Sequence, residues 1–213
     1  PETQAWLKLF NIWLPDFFID CHTTDGADYQ YALTYGAEIY GNLDSSLTQW
    51  MKNDFIPEIN KKVENDGYPI FPYIAFRNWG DPRSGLRTWV SPPRFSMGYT
   101  AIQNRAGVLI ETHMLKNYKT RVYSTYSYLK NCLELLSKNS KMILKLNKVA
   151  DQYTSGIGFR NTDYPIKFIS SSDSEIVDFK GFKYNITKSE ITGGDWIQYS
   201  DTPFIYRLPY FNK

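Results

Sequence analysis

At 213 residues and a formal charge of +2, the chain can form one large domain or a domain with a small module, and it can bury a core without covalent staples. Hydrophobic residues at 42% and charged residues at 22% are an ordinary globular balance, and so small a net charge gives no electrostatic case for nucleic acid as the main partner. No run of about 18 apolar residues occurs, so no membrane span is expected, and Cys21 and Cys132 make neither a disulfide framework nor a Cys-x-x-Cys site.

The chain starts at Pro1 without Met and reads as a piece of a longer polypeptide, so the missing signal-peptide pattern says nothing about where the parent protein goes. Residues 2–13, with Ala5, Leu7, Leu9, Phe10 and Trp13 apolar, predict a helix that Pro15 ends. The apolar run 16–22 suits a buried strand, and 28–35 reads as a further strand. A helix is expected over 44–65, capped by Asp44 or Ser45, stopped by Gly67 and kinked or split at Pro57. A strand is expected within 69–76. Residues 77–98, punctuated by Gly and Pro, read as a long loop of the kind that rims sites.

Residues 107–114 form the second clear buried strand. A long helix over 117–153 follows, with Val122, Tyr126, Leu129, Leu133, Leu136, Ile143 and Leu146 as its expected core stripe. After Asp151 the pattern changes to short alternating runs (PIKFIS, EIVDF, FKYNIT, WIQYS and FIYRL), which predict a small antiparallel β module. The expectation is an α/β fold with a mixed sheet and helices on both faces over 1–153, and a β module over 156–213. Within that module Trp196, Tyr199, Tyr206, Tyr210 and Phe211 could make a glycan platform or a core.

The chain has two histidines. His22 ends the first buried strand, and alternation puts Phe18, Asp20 and His22 on one face. Strand C-terminal ends are where α/β proteins open ligand crevices, and Asp20 could orient the imidazole as carboxylates orient metal-bound histidines. A structural His–Asp pair is the alternative. Glu111 interrupts the second buried strand, where a carboxylate is costly unless it is paired, metal-linked or at the strand end. It reads either as a general base or as the partner of Arg105 or Lys116. His113 reads as a rim or packing residue. Lys138, Lys141, Lys145 and Lys148, at helical spacing, read as a solvated face, and Asn185-Ile186-Thr187 is a glycosylation sequon that matters only on a eukaryotic secretory route.

FIDCHTTDGADYQ followed much later by GVLIETHMLKNY resembles the zinc carboxypeptidase family, the carboxypeptidase A-like group, and within it the bacterial members with Thr-Asp-Gly after the histidine. The resemblance covers roughly residues 1–150, and 156–213 resembles the β extension of some bacterial members. It implies that His22 is the third zinc ligand and Glu111 the general base of a peptidase that cleaves C-terminal peptide bonds. RFSMGY over 94–99 falls where the family places part of its specificity pocket and a substrate-closing tyrosine, which makes Arg94 and Tyr99 candidate substrate contacts. Peptide is the implied substrate, Zn2+ the implied cofactor, and export to the periplasm or outside the cell the implied location.

The family's first two zinc ligands come from His-x-x-Glu, and its carboxylate-gripping Asn-Arg pair also precedes the third ligand. Neither motif lies where expected in residues 1–213. Catalytic zinc needs three protein ligands and an open position, so the expectation is part of a zinc carboxypeptidase domain. The alternative is an inactive carboxypeptidase-like protein that binds peptide or cell-wall glycan. A third reading gives the β module its own carbohydrate or protein ligand. An incomplete α/β domain also exposes apolar surface and sheet edges, which predicts self-association through the truncated face.

Overall fold

The computed structural model describes residues 1–24, 26–73, 75–78 and 81–211. Asp25 of the Thr-Thr-Asp-Gly run, Ile74 of the strand expected over 69–76, and Trp79 and Gly80 of the long loop lie outside the described residues. The chain is a mixed α/β fold with two mixed four-stranded sheets.

Helix α1 (Glu2–Trp13) ends at Leu14, whose φ of 41° is left-handed, and Pro15 prevents its continuation. Strand β1 (Phe17–Thr23) follows and pairs in parallel with β6 (Ala106–Thr112). Strand β2 (Leu33–Gly36) runs antiparallel on the other side of β6, and β3 (Ile70–Pro72) runs parallel to β2. The first sheet therefore has the order β1-β6-β2-β3. Register puts Phe17, Ile19, Val108, Ile110, Leu33 and Tyr35 on one face. That face meets the main apolar core, to which the helices contribute Leu47, Trp50, Phe55, Ile59, Tyr128, Cys132 and Ile143. The opposite face carries Phe18, Asp20 and His22 from β1, Gly107, Leu109 and Glu111 from β6, and Thr34 from β2. Trp6 of α1 packs on Phe18 there, and α4 (Ser96–Ile102) reaches Asp20 through Ser96.

Asp44 caps α2 (Ser45–Trp50), its carboxylate accepting from Ser46 N–H at 2.9 Å and Leu47 N–H at 3.3 Å. A π-helical stretch, Met51–Phe55, then leads into α3 (Ile56–Asn65). Pro57 falls in the first turn of α3, so its missing N–H is tolerated and the helix divides rather than ends. The helix expected over 117–153 is two helices, α5 (Tyr118–Lys138) and α6 (Ser140–Ser155), divided at Asn139, and a short α7 (Ile157–Arg160) follows. The expected core stripe needs correction. Val122, Tyr126 and Leu133 are exposed, and α5 buries Ser124, Ser127, Tyr128, Asn131, Cys132 and Leu135 instead. The small polar residues earn this placement through bonds: Ser127 Oγ and Asn131 Nδ2 both donate to Asp66 Oδ2, at 2.6 and 2.9 Å.

The second sheet has the order β4-β5-β8-β7. Strands β4 (Ala75–Phe76) and β5 (Leu86–Arg87) come from the region expected to be loop or strand end, and β7 (Glu175–Lys188) and β8 (Asp195–Phe211) form one long antiparallel hairpin. The five short runs thus resolve into two long strands, with a register irregularity between Phe182 and Tyr184, and PIKFIS is not a strand. Strand pairing crosses the boundary expected between 1–153 and 156–213. A second core of Tyr29, Tyr31, Leu86, Phe179, Leu208 and Tyr210 lies at this junction. Residues 28–32, expected as strand, form a loop joined to β7 by a bridge between Tyr29 and Gly181. Among the described residues no helix is long and apolar enough to cross a membrane.

Candidate active site

Parallel pairing of β1 with β6 brings His22 and Glu111 directly opposite one another, on the same face and at the C-terminal ends of both strands. Two residues far apart in sequence thus become neighbours. The approach of the strands depends on Gly107, where an added Cβ would come within 2.7 Å of the Phe18 carbonyl oxygen.

The His22 side chain is 47% exposed, and its Nε2 lies 2.8 Å from Asp20 Oδ1. The other oxygen of Asp20 accepts a short hydrogen bond from Ser96 Oγ. Asp20 is therefore fixed from α4, and it fixes the imidazole in turn, leaving Nδ1 as the ring nitrogen not engaged by Asp20. Ser96 was not marked by the sequence, because a lone serine at a helix start carries no distinctive pattern. Glu111 is buried, at 8% exposure, and Thr34 stands opposite it on β2. Below the pair, Thr112 Oγ1 donates to the His22 carbonyl at 3.2 Å and lies 3.1 Å from Thr23 Oγ1, binding the strand ends together.

The loop after His22 returns over this end of the sheet. Tyr29 is buried, and its hydroxyl comes within 3.5 Å of Thr24 Oγ1. Burial pushes the phenol up to about 12, and the charge of Glu111 adds to the rise. Lys116, one of the expected partners of Glu111, points instead to the Tyr29 carbonyl at 2.6 Å, 3.9 Å from Asp28 and over the Phe182 ring. Arg105, the other, makes a two-pronged ion pair with Asp151, each bond 3.0 Å.

Arg94 is exposed, with its guanidinium 4.9 Å from the Phe95 ring centre. Tyr99 lies in α4 with its ring against Trp6 and Phe10 and its hydroxyl donating to Asn11 Oδ1 at 3.2 Å. The structure thus brings His22, Asp20 and Glu111 together and gives Tyr99 packing partners on α1. The aromatics of the expected platform divide: Tyr210 and Phe211 are buried, whereas Trp196 is exposed farther along the hairpin. Two clefts lie elsewhere, one of about 550 Å³ among Tyr35, Tyr40, Tyr73 and Trp89, and one of about 1220 Å³ beside Asn42, Ser91 and Tyr164.

Among the described residues, no group of three or more His, Cys, Asp or Glu side chains is placed to hold a metal ion. Among the described residues, His22 is an exposed imidazole oriented by a carboxylate. No protein-family model, curated protein or solved structure matches the chain.

Proposed function

We propose that residues 1–213 carry one zinc ligand and the general base of a carboxypeptidase A-like zinc peptidase, with His22 the ligand and Glu111 the base. The observation that supports this reading is the register of β1 with β6, which sets the half-exposed, carboxylate-held His22 opposite the buried Glu111. The donor set fits zinc in kind, since Asp20 holds Nε2 of a half-exposed imidazole and leaves Nδ1 unengaged by that carboxylate. Two further ligands must come from outside these residues. Bound there, zinc would supply Lewis acidity toward a scissile carbonyl and its attacking water. Glu111 takes the water proton and returns it to the leaving amine, while Asp20 and Ser96 hold the imidazole still. Peptide is the proposed substrate, and an exported location follows from the same likeness.

The first test is the coding sequence upstream of Pro1. The reading expects His-x-x-Glu and then Asn-Arg there. A natural protein lacking those ligands overturns it in favour of a carboxypeptidase-like binding protein. In the complete polypeptide, Glu111→Gln is expected to lower peptide hydrolysis by about 100-fold or more with bound zinc unchanged. Normal turnover by that variant rules out Glu111 as the base.

A further inference from the structure

His113 has no part in the chemistry above, yet it is the more deeply buried of the two histidines, with no exposed surface. It lies beneath the loop that leads from His22 to β2. That loop is tied at both ends to the end of β6: Thr24 N–H donates to the Thr112 carbonyl at 2.9 Å, and His113 N–H donates to the Ala32 carbonyl at 3.1 Å. Its middle is held by the His113 ring. Nε2 lies 2.9 Å from Asp28 Oδ1 and 3.2 Å from the Tyr29 N–H, and the ring stacks on that of Tyr29 with centres 4.1 Å apart. Leu115 N–H approaches Nδ1 at 3.4 Å.

We propose that His113 is a positioning residue of the site, clamping the loop after His22 so that the Tyr29 phenol stays beside Glu111. The proposal rests on the reading of Glu111 as the base. Its geometric support is independent of that reading. Glu111 lies two residues before His113, whose ring stacks on that of Tyr29, and the Tyr29 hydroxyl lies 3.5 Å from Thr24 Oγ1. The same clamp steadies the second sheet, because Tyr29 bridges to Gly181 and Gln30 Nε2 donates to the Gly181 carbonyl at 2.7 Å.

The charged and titratable groups around the ring set how the clamp responds to acid. Asp28 and Tyr29 face it from the loop and Lys116 from the segment after β6. Glu111 lies two residues back on β6, and the charge of Asp28 adds to the rise that burial gives the Tyr199 phenol of β8. Burial holds His113 below the ordinary value of 6.5, against the opposing pull of Asp28. In the neutral ring that carries its proton on Nδ1, Nε2 accepts from the Tyr29 N–H. Protonation places a proton on Nε2, which then donates to Asp28 Oδ1 and has no lone pair left for Tyr29, and it sets a second cation beside Lys116 with Asp28 as their shared counter-charge. Acid therefore tightens the Asp28 contact and releases Tyr29.

Because there are only two histidines, ¹⁵N spectra of the whole chain can follow His113 directly. As His113 protonates, amide exchange at Tyr29 and Gln30 is expected to speed up by about fivefold or more, the weight of one hydrogen bond. The Glu111 carboxyl ¹³C signal is expected to step at the same pH. In His113→Gln both steps should vanish, and His113→Phe, which keeps a stacking ring, serves if the glutamine variant does not fold. In Tyr29→Phe the exchange step should remain and the Glu111 step should be lost. A Glu111 signal that ignores His113 protonation, or steps that persist without the imidazole, overturns the proposal. None of these signals needs zinc or peptide, so failure of the peptidase reading shows separately, in hydrolysis by the complete polypeptide.

Discussion

Two buried ionisable side chains respond to pH in opposite senses. Glu38, at 5% exposure, has its carboxyl pushed above 4.5 by burial, partly offset by the Ser91 N–H that it accepts at 3.2 Å. Its raised folded value means that its contribution is full below 4.5 and is lost as pH rises through the folded value. Glu38→Gln keeps an acceptor for Ser91 and removes the buried charge, so it should raise the melting temperature at pH 7 and lose that advantage toward pH 4. His113 is lowered, so its contribution is full above 6.5 and is lost as pH falls from there through its folded value. Urea titrations should therefore show stability declining below pH 6.5 in the wild type, with a shallower decline in His113→Gln. A decline of equal depth in both proteins assigns the loss to other groups.

At the scale of elements, the β1–β6 pair controls the site. Gly107→Ala would drive a methyl group against the Phe18 carbonyl and push the strands apart, and backbone cannot yield as a flexible side chain does. The expected cost is about 1–3 kcal/mol, read from urea unfolding. What the sequence showed of this region follows from the range of its signals. Apolar runs made strands at 16–22 and 107–114 legible, but only β6 is buried: β1, expected to be a buried strand, is an edge strand of half-buried and exposed residues, and the polar interruptions at His22 and Glu111 marked the candidate site. The loop at 28–32 alternates like a strand because Tyr29 and Tyr31 fill a second core, a tertiary demand that periodicity cannot separate from pairing. Asn139 broke a helix that its apolar spacing ran straight through, and the buried face of α5 was missed because Ser127 and Asn131 are held by Asp66, a partner far off in sequence. Ser96 and the His113 clamp were hidden for the same reason.

For the molecule as a whole, apolar surface lies open on more than one element. Ile12 and Trp13 of α1 are 79% and 77% exposed, and Val122, Tyr126 and Leu133 form an exposed stripe on α5. Strand β1 is an edge of its sheet. Light scattering on the isolated chain is expected to show mass rising with concentration, and a constant monomer mass counts against association through these faces. The long hairpin has a different consequence. It touches the loop after His22 at Gly181, whereas its strand β7 runs on to Lys188, about 24 Å farther at about 3.4 Å per residue. The hairpin is therefore a lever with its fulcrum next to Tyr29. A load applied at the far end, around Trp196, would reach the loop as a small displacement under a multiplied force.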